Sequence, residues 1–313
     1  MQAYIIKRLL LAPPLLLMVA ALVFLLIRAI PGDPALLLVG DSSDLRALAE
    51  LRHTLGLDQP LPVQFGIWLQ RLLHGDLGNS LMTGQPVIEL VLSRFSVTAQ
   101  IVITATALAA AVALPIGMLA AWRQGRALDA AVVGGTVLLM SVPSFWVGIL
   151  LLLVFGVSLG WAPVVGYVSL AEDPWRGLTY LALPVLALIL TEMATIARIM
   201  RASTIDILQL DYVANARSKG LPERTVLAVH VFPNAFGPAL TIIGLILGHL
   251  LGGAAVVETV FTLPGAGRLL VESIYARDYT VVQGCLLVVA TIYIVVNLIV
   301  DLLYPLFDPR VRL

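Results

Sequence analysis

"DYVANARSKGLPERTVLAVHVFPNA" fills residues 211–235, and it is polar where the chain on either side of it is not. Helix-favouring residues run up to Lys219. Gly220 then suits a left-handed closing residue, and Pro222 suits the first turn of a new helix. The stretch therefore predicts one helix over Ser203–Lys219, a tight elbow, and a second helix from Pro222 towards Phe232. Ala214 and Ala216 leave little side chain beside the elbow, so another surface has room to approach. Arg217, Lys219 and Arg224 surround it with positive charge. From the residues alone, the stretch reads equally well as a basic loop that only fixes membrane orientation.

The surroundings of this stretch decide its setting. The chain has 313 residues, 60% hydrophobic and only 12% charged, with a mean hydropathy of +0.99. Soluble domains carry about 25% charged residues, so the composition points to a bilayer as solvent. The net charge is zero and no long basic run exists to track nucleic-acid phosphates. The single cysteine, Cys285, lies in an apolar run and reads as a small buried hydrophobe.

A spanning helix needs about 20 mostly apolar residues, and six stretches qualify: Leu9–Ile30, Ser96–Ala121, Ala130–Val157, Leu178–Met200, Phe236–Phe261 and Val282–Leu306. The fold class is thus an all-α polytopic membrane protein, a single transmembrane domain over 1–313. The first span is too long for a signal-peptide core and no small-x-small site precedes Pro31, so it is expected to be retained. With both termini inside, the inner segments hold 11 of the 19 basic residues, whereas the outer segment 31–95 holds seven acids against four arginines. The positive-inside rule predicts this N-in, C-in arrangement. Within the outer segment, "DLRALAELRHTLG" and "LPVQFGIWLQRLLHG" each show a helical apolar face, ended by Gly56 and Gly75. They are expected to be interfacial helices that seal the outer rim, or else a docking surface for an extracellular partner.

The elbow also resembles the cytoplasmic coupling loop of ABC-importer permeases. Against the general pattern of that loop, Ala214, Asn215, Ala216, Gly220, His230, Phe232 and Pro233 occupy the corresponding positions; only Ala216, Gly220 and Pro233 agree with it, and Ala214 stands where many importers carry Glu. The loop of the dipeptide, oligopeptide and nickel branch is closer, "DYVxxARxKGL", matched by Asp211, Tyr212, Val213, Ala216, Arg217, Lys219, Gly220 and Leu221. Other segments resemble the same branch: "RAIPGDPA", "LGLDQPLPVQF", "GDLGNS", "SVPSFWVGILLLLVF", "ARIMRAS", "VVETVFTLPGAGRLLVESIYARDYTVVQG" at 256–284 and "NLIVDLLYPLFDPRVR" at 297–312. The chain is identified on this resemblance as the first, dipeptide-permease B-type membrane subunit, and the likeness runs nearly end to end.

The resemblance implies half of a heterodimeric channel in the bacterial inner membrane, surrounded by lipid. Its expected partners are a second homologous permease subunit, two ATPase subunits and an extracytoplasmic substrate-binding protein. ATP and Mg are expected on the ATPases alone. This chain has no G-x-x-x-x-G-K-[ST] loop to cradle phosphates and is expected to be non-catalytic. The loop 201–235 becomes the cytoplasmic ATPase-coupling loop, with Asp211, Tyr212, Ala214, Ala216, Arg217, Lys219, Gly220 and Leu221 as its contact residues. The loop 262–281 comes to lie at the outer mouth, with Glu258, Pro264, Gly265, Gly267 and Arg268 as gate or docking residues.

Ionisable residues inside spans are costly and often functional. Glu192 and His249 are the pore candidates, although Glu192 reads more readily as paired with a neighbour such as Arg198, and His249 as a satisfied buried imidazole. Neither has a second His, Cys or carboxylate at ligand spacing, so no metal site is expected. The implied substrate is a di- or oligopeptide. Alternatives are nickel, glutathione or another small solute carried by the same machine, and, from a different class, a self-sufficient channel or secondary transporter. No G-x-S-x-G or H-E-x-x-H supports an intramembrane enzyme.

Overall fold

The computed structural model describes residues 2–29 and 58–307. Helix α1 spans Gln2–Ala29. After the undescribed stretch come α2 (Leu61–Leu73), α3 (Val87–Trp122), α4 (Ala127–Met140) and α5 (Ser144–Leu151). These are followed by α6 (Pro174–Leu208), α7 (Asp211–Ser218), α8 (Phe232–Gly253), α9 (Ala255–Val260), α10 (Ala266–Tyr275) and α11 (Tyr279–Phe307). Five helices among the described residues are long and apolar enough to cross a membrane. The bent pair formed by α4 with 144–158 makes a sixth if counted as one span.

Helices α3 and α6 form the central pair, and the reason is written in small residues. On α3, Val97, Ile101, Ala105, Ala109 and Ala113 recur every fourth position on one buried stripe. Gly117 continues it so tightly that a Cβ there would sit 2.5 Å from the Ala197 carbonyl of α6. Without a hydrophobic drive between helices in lipid, such close backbone approach is what holds spans together. Gly244 and Gly248 play the same part where α8 meets Val300 and Tyr293 of α11. Helix α1 lies at the edge, antiparallel to α11: Arg8 pairs with Asp301 at 2.9 Å near one end, while Ala20 and Val23 pack on Leu287 towards the other.

Several expectations are corrected. The third span is not one helix over Ala130–Val157: α4 and the following helix meet at 94°. Pro143, at φ −61° and ψ 143°, supplies no amide and starts a new helix, so the chain turns there. Residues 152–158 then widen into a π-helical turn. The fourth span does not stop at Met200. Helix α6 runs on to Leu208, absorbing the first residues assigned to the Ser203–Lys219 helix, and the extended Leu210 separates it from α7. The fifth span ends at Gly253 rather than Phe261. The second span starts earlier than Ser96, at Val87. Helix α2 sits where the "LPVQFGIWLQRLLHG" pattern places it, while the "DLRALAELRHTLG" helix lies outside the described residues.

Candidate functional site

Helix α7 leans on the end of α6 through Val213 and Ala216, one turn apart. Both are buried against Met200, Val226, Leu227 and Val231. Its other face, with Asp211, Tyr212, Ala214, Asn215, Arg217 and Ser218, is exposed. Gly220 has φ +77°, the left-handed residue that ends α7, and its amide donates to the Arg217 carbonyl at 2.9 Å. Open space surrounds its Cα, so backbone conformation rather than crowding selects glycine.

Past the elbow, Glu223–Thr225 and a π-helical turn over Val226–Val231 lead into α8. Pro233 lacks the amide that Val229 would take in an α-helix. The His230 carbonyl accepts from Asn234 Nδ2 at 2.8 Å and from the Tyr212 hydroxyl at 3.4 Å, the latter stitching α7 to the returning chain. Of the residues predicted for coupling, Asp211, Tyr212, Ala214, Arg217, Lys219, Gly220 and Leu221 are at the surface. Ala216 is not. It packs inward, so the small-residue approach reduces to Ala214.

Next to the elbow, the α3–α4 turn is fastened to α6. Arg201 donates from Nε and Nη2 to both Asp129 oxygens, at 2.5 and 2.8 Å, and the Gly125 amide donates to Asp129 at 2.9 Å. Asp129 is buried. Arg201 opens the segment 201–235 expected to be loop, and Asp129 lies just outside the span expected to begin at Ala130. An acid at the mouth of an apolar run was the available signal.

At the opposite end of the bundle, Glu258 is fully buried. Thr98 donates its hydroxyl to Oε1 at 2.5 Å and the Arg268 amide donates to Oε2 at 2.9 Å, with the Gly267 amide as a further donor. The same Thr98 hydroxyl oxygen accepts from the Ala266 amide at 2.8 Å. These donors are the free first-turn amides of α10, so the carboxyl and the hydroxyl together cap that helix. A Cβ at Gly265 would stand 2.1–2.3 Å from the Glu258 carboxyl atoms, which fixes glycine there. Burial pushes the Glu258 carboxyl above the usual carboxylate range, against the pull of these hydrogen bonds.

Glu258 and Gly265 are buried and present no surface for docking, which corrects only the docking half of their reading. They position α10 instead. Arg268 reaches outward and pairs with Glu272 at 2.7 Å. The other end of α10 is pinned by buried Asp278, which accepts from Ser80 Oγ at 2.5 Å and from the Leu81 amide at 3.2 Å. Thr98 and Ser80 carry no signal in the sequence, and Asp278 reads there only as one charge of the outer loop, because pairs about 160–200 residues apart leave no local trace.

Glu192 on α6 and His249 on α8 come within electrostatic range of each other. The electrostatic neighbour of Glu192 is thus His249 rather than the Arg198 considered from sequence. His249 is exposed on this chain alone and so is not the buried imidazole expected.

Residues 113–313 match the family described as binding-protein-dependent transport system inner membrane component, and residues 1–102 match its N-terminal counterpart. The chain belongs to this family. It is a permease component, multi-pass in the inner membrane. This permease is 43% identical over 312 residues to a protein named a peptide transport system permease from Brucella abortus (strain 2308), covering 100% of this chain and 99% of that one. It is 42% identical over 312 residues to a glutathione transport system permease protein from Salmonella choleraesuis, with the same coverage. A solved structure described as an amino acid ABC transporter with histidines gives a TM-score of 0.46 at 20% identity, covering 71% of this chain and 94% of that one.

Proposed function

We propose that the permease forms half of a translocation pore for small peptides, driven by ATP hydrolysed on partner subunits. The observation that carries this reading is the elbow: a short helix anchored by Val213 and Ala216, presenting an exposed polar face beyond the end of α6. Such a face suits the groove of an ATPase subunit, with Arg217 and Lys219 supplying charge. A second homologous permease completes the pore and an extracytoplasmic binding protein delivers the substrate. Both termini lie with the elbow in the cytoplasm, a reading supported by the charge distribution and by the Arg8–Asp301 pair between the chain's first and last helices. On that orientation 31–95 and 262–281 are extracytoplasmic, and α10 belongs to the outer mouth.

Glu192 and His249 line the pore in this reading, because an ionisable pair at span depth needs water or a polar partner around it. Peptide is preferred as cargo on the names of the Brucella relatives. Glutathione, itself a tripeptide, is the second reading on the name of the Salmonella relatives. The test is ATPase activity of the copurified complex in lipid, screened against di- and tripeptides, glutathione and nickel. Stimulation by peptides supports the first reading and stimulation by glutathione alone the second. A chain that copurifies with no ATPase refutes both.

A further inference from the structure

The end of the bundle opposite the elbow holds a cavity of about 400 Å³ between the last turns of α1, helix α2, the loop 76–81 and the first turn of α11. One wall is aromatic: Phe24 and Trp68 line it with ring centroids 5.5 Å apart, and Phe65 packs on both from behind at 5.4 and 6.0 Å. Two guanidinium-bearing residues line it. Arg28 lies over the Phe24 ring at 5.3 Å, and Arg71 comes from the exposed face of α2. Among the described residues, neither has a carboxylate within ion-pair distance. The one acid in the lining, Asp76, accepts the Gly78 amide at 2.8 Å. Asn79 and Gln283 add side-chain amides.

The position of the cavity selects the ligand. Just below it, Leu22, Leu25 and Leu26 of α1 are half exposed, as lipid-facing residues are. Helix α2 shows Leu61, Val63, Ile67 and Leu73 on its surface alongside Gln70 and Arg71, the pattern of a helix lying in the membrane interface. Cations at this depth, framed by aromatic rings, meet phosphate with acyl chains attached. We propose that the cavity binds the headgroup of an anionic phospholipid, with Arg28 and Arg71 on the phosphate and the acyl chains along Leu22, Leu25 and Leu26. The lipid joins α1 and α2 to the start of α11, next to the loop that Asp278 holds.

Native mass spectrometry of the purified complex through stepwise delipidation tests this. Phosphatidylglycerol is expected to be retained after phosphatidylethanolamine is lost. Arg71→Gln, on an exposed surface, is expected to weaken that retention at least about tenfold at unchanged subunit assembly, as loss of one charge-assisted contact implies. Arg28→Gln is expected to act in the same direction. In nanodiscs, adding phosphatidylglycerol to phosphatidylcholine is expected to raise the melting temperature of the wild type and not of the variants. Equal retention by Arg71→Gln overturns the proposal. So does a melting shift reproduced by inorganic phosphate, since the ligand would then be a soluble anion.

Discussion

Arg217 and Glu223 face each other across the elbow, Nε to Oε1 at 2.8 Å and Nη2 to Oε2 at 3.3 Å. This forked pair ties the two sides of Gly220 together. Both side chains are 39% exposed, so the pair contributes at most about 1 kcal/mol. Its weight lies in setting the angle at which α7 is presented. A double-mutant cycle with Arg217→Gln and Glu223→Gln is expected to give a coupling below about 1 kcal/mol that shrinks with added salt. A coupling of several kcal/mol would show the pair to be desolvated in the assembled complex.

Gly220→Val forces a β-branched residue into the left-handed region, at about 1–2 kcal/mol. Membrane insertion is expected to be intact, because nothing within 4 Å clashes with a Cβ there. Substrate-stimulated ATPase activity is expected to fall while basal hydrolysis persists. Full stimulation in this variant would remove the elbow from the coupling route.

Glu258→Ala leaves the first amides of α10 buried without an acceptor, about 1–3 kcal/mol for each orphaned group. Glu258→Gln keeps an acceptor oxygen and is expected to cost less. The sign of the pH effect follows from burial. A carboxyl raised in the folded state contributes stability that is complete below the ordinary value of about 4.3 and is lost as pH rises through the raised one. Melting temperatures from pH 5 to 8 are expected to fall less steeply for Glu258→Gln than for the wild type. Parallel slopes would refute this account of the corner.

Asp129→Ala strands Arg201 in a partly buried site, and removing one member of such a pair costs about 3–5 kcal/mol. Asp129→Leu combined with Arg201→Met is expected to be more stable than Asp129→Ala alone. Thermal unfolding in detergent distinguishes them. A double variant no better than the single would mean that the Gly125 hydrogen bond, not the charge pair, holds the α3–α4 turn.

Glu192→Gln is expected to reduce substrate uptake several-fold while expression and basal ATPase activity stay at wild-type level. Unaltered uptake would remove Glu192 from the pore lining.

The membrane spans were legible because apolar length is a local property, and the elbow because Gly220 and Pro222 declare their backbone needs directly. The 94° corner was signalled by Pro143, yet the continuous hydropathy of 130–157 masked it. The extension of α6 past Met200 was hidden for the opposite reason: Arg201 and Asp206 look like loop residues until Asp129 neutralises the first of them. At the far corner, Glu258 read as a contact residue because its hydrogen-bond donors, Thr98 and the α10 amides, are supplied by the fold and not by neighbours in sequence.

Helix α6 has 35 residues, from the Asp173 cap to the break before Leu210. At 1.5 Å per residue it is a rod of about 52 Å. Swinging its elbow end by about 10° about the opposite end sweeps an arc of roughly 9 Å, and α3 with the turn to α4 must travel with it, because Gly117 and Asp129 are locked to Ala197 and Arg201. Pro184, buried near the outer third of this rod, withholds one backbone hydrogen bond and sets where it flexes. The long arm lies on the elbow side of Pro184 and the short arm on the other. A bend at that point would let the elbow end move while the short arm, beside the loop 166–170, stays where it is packed.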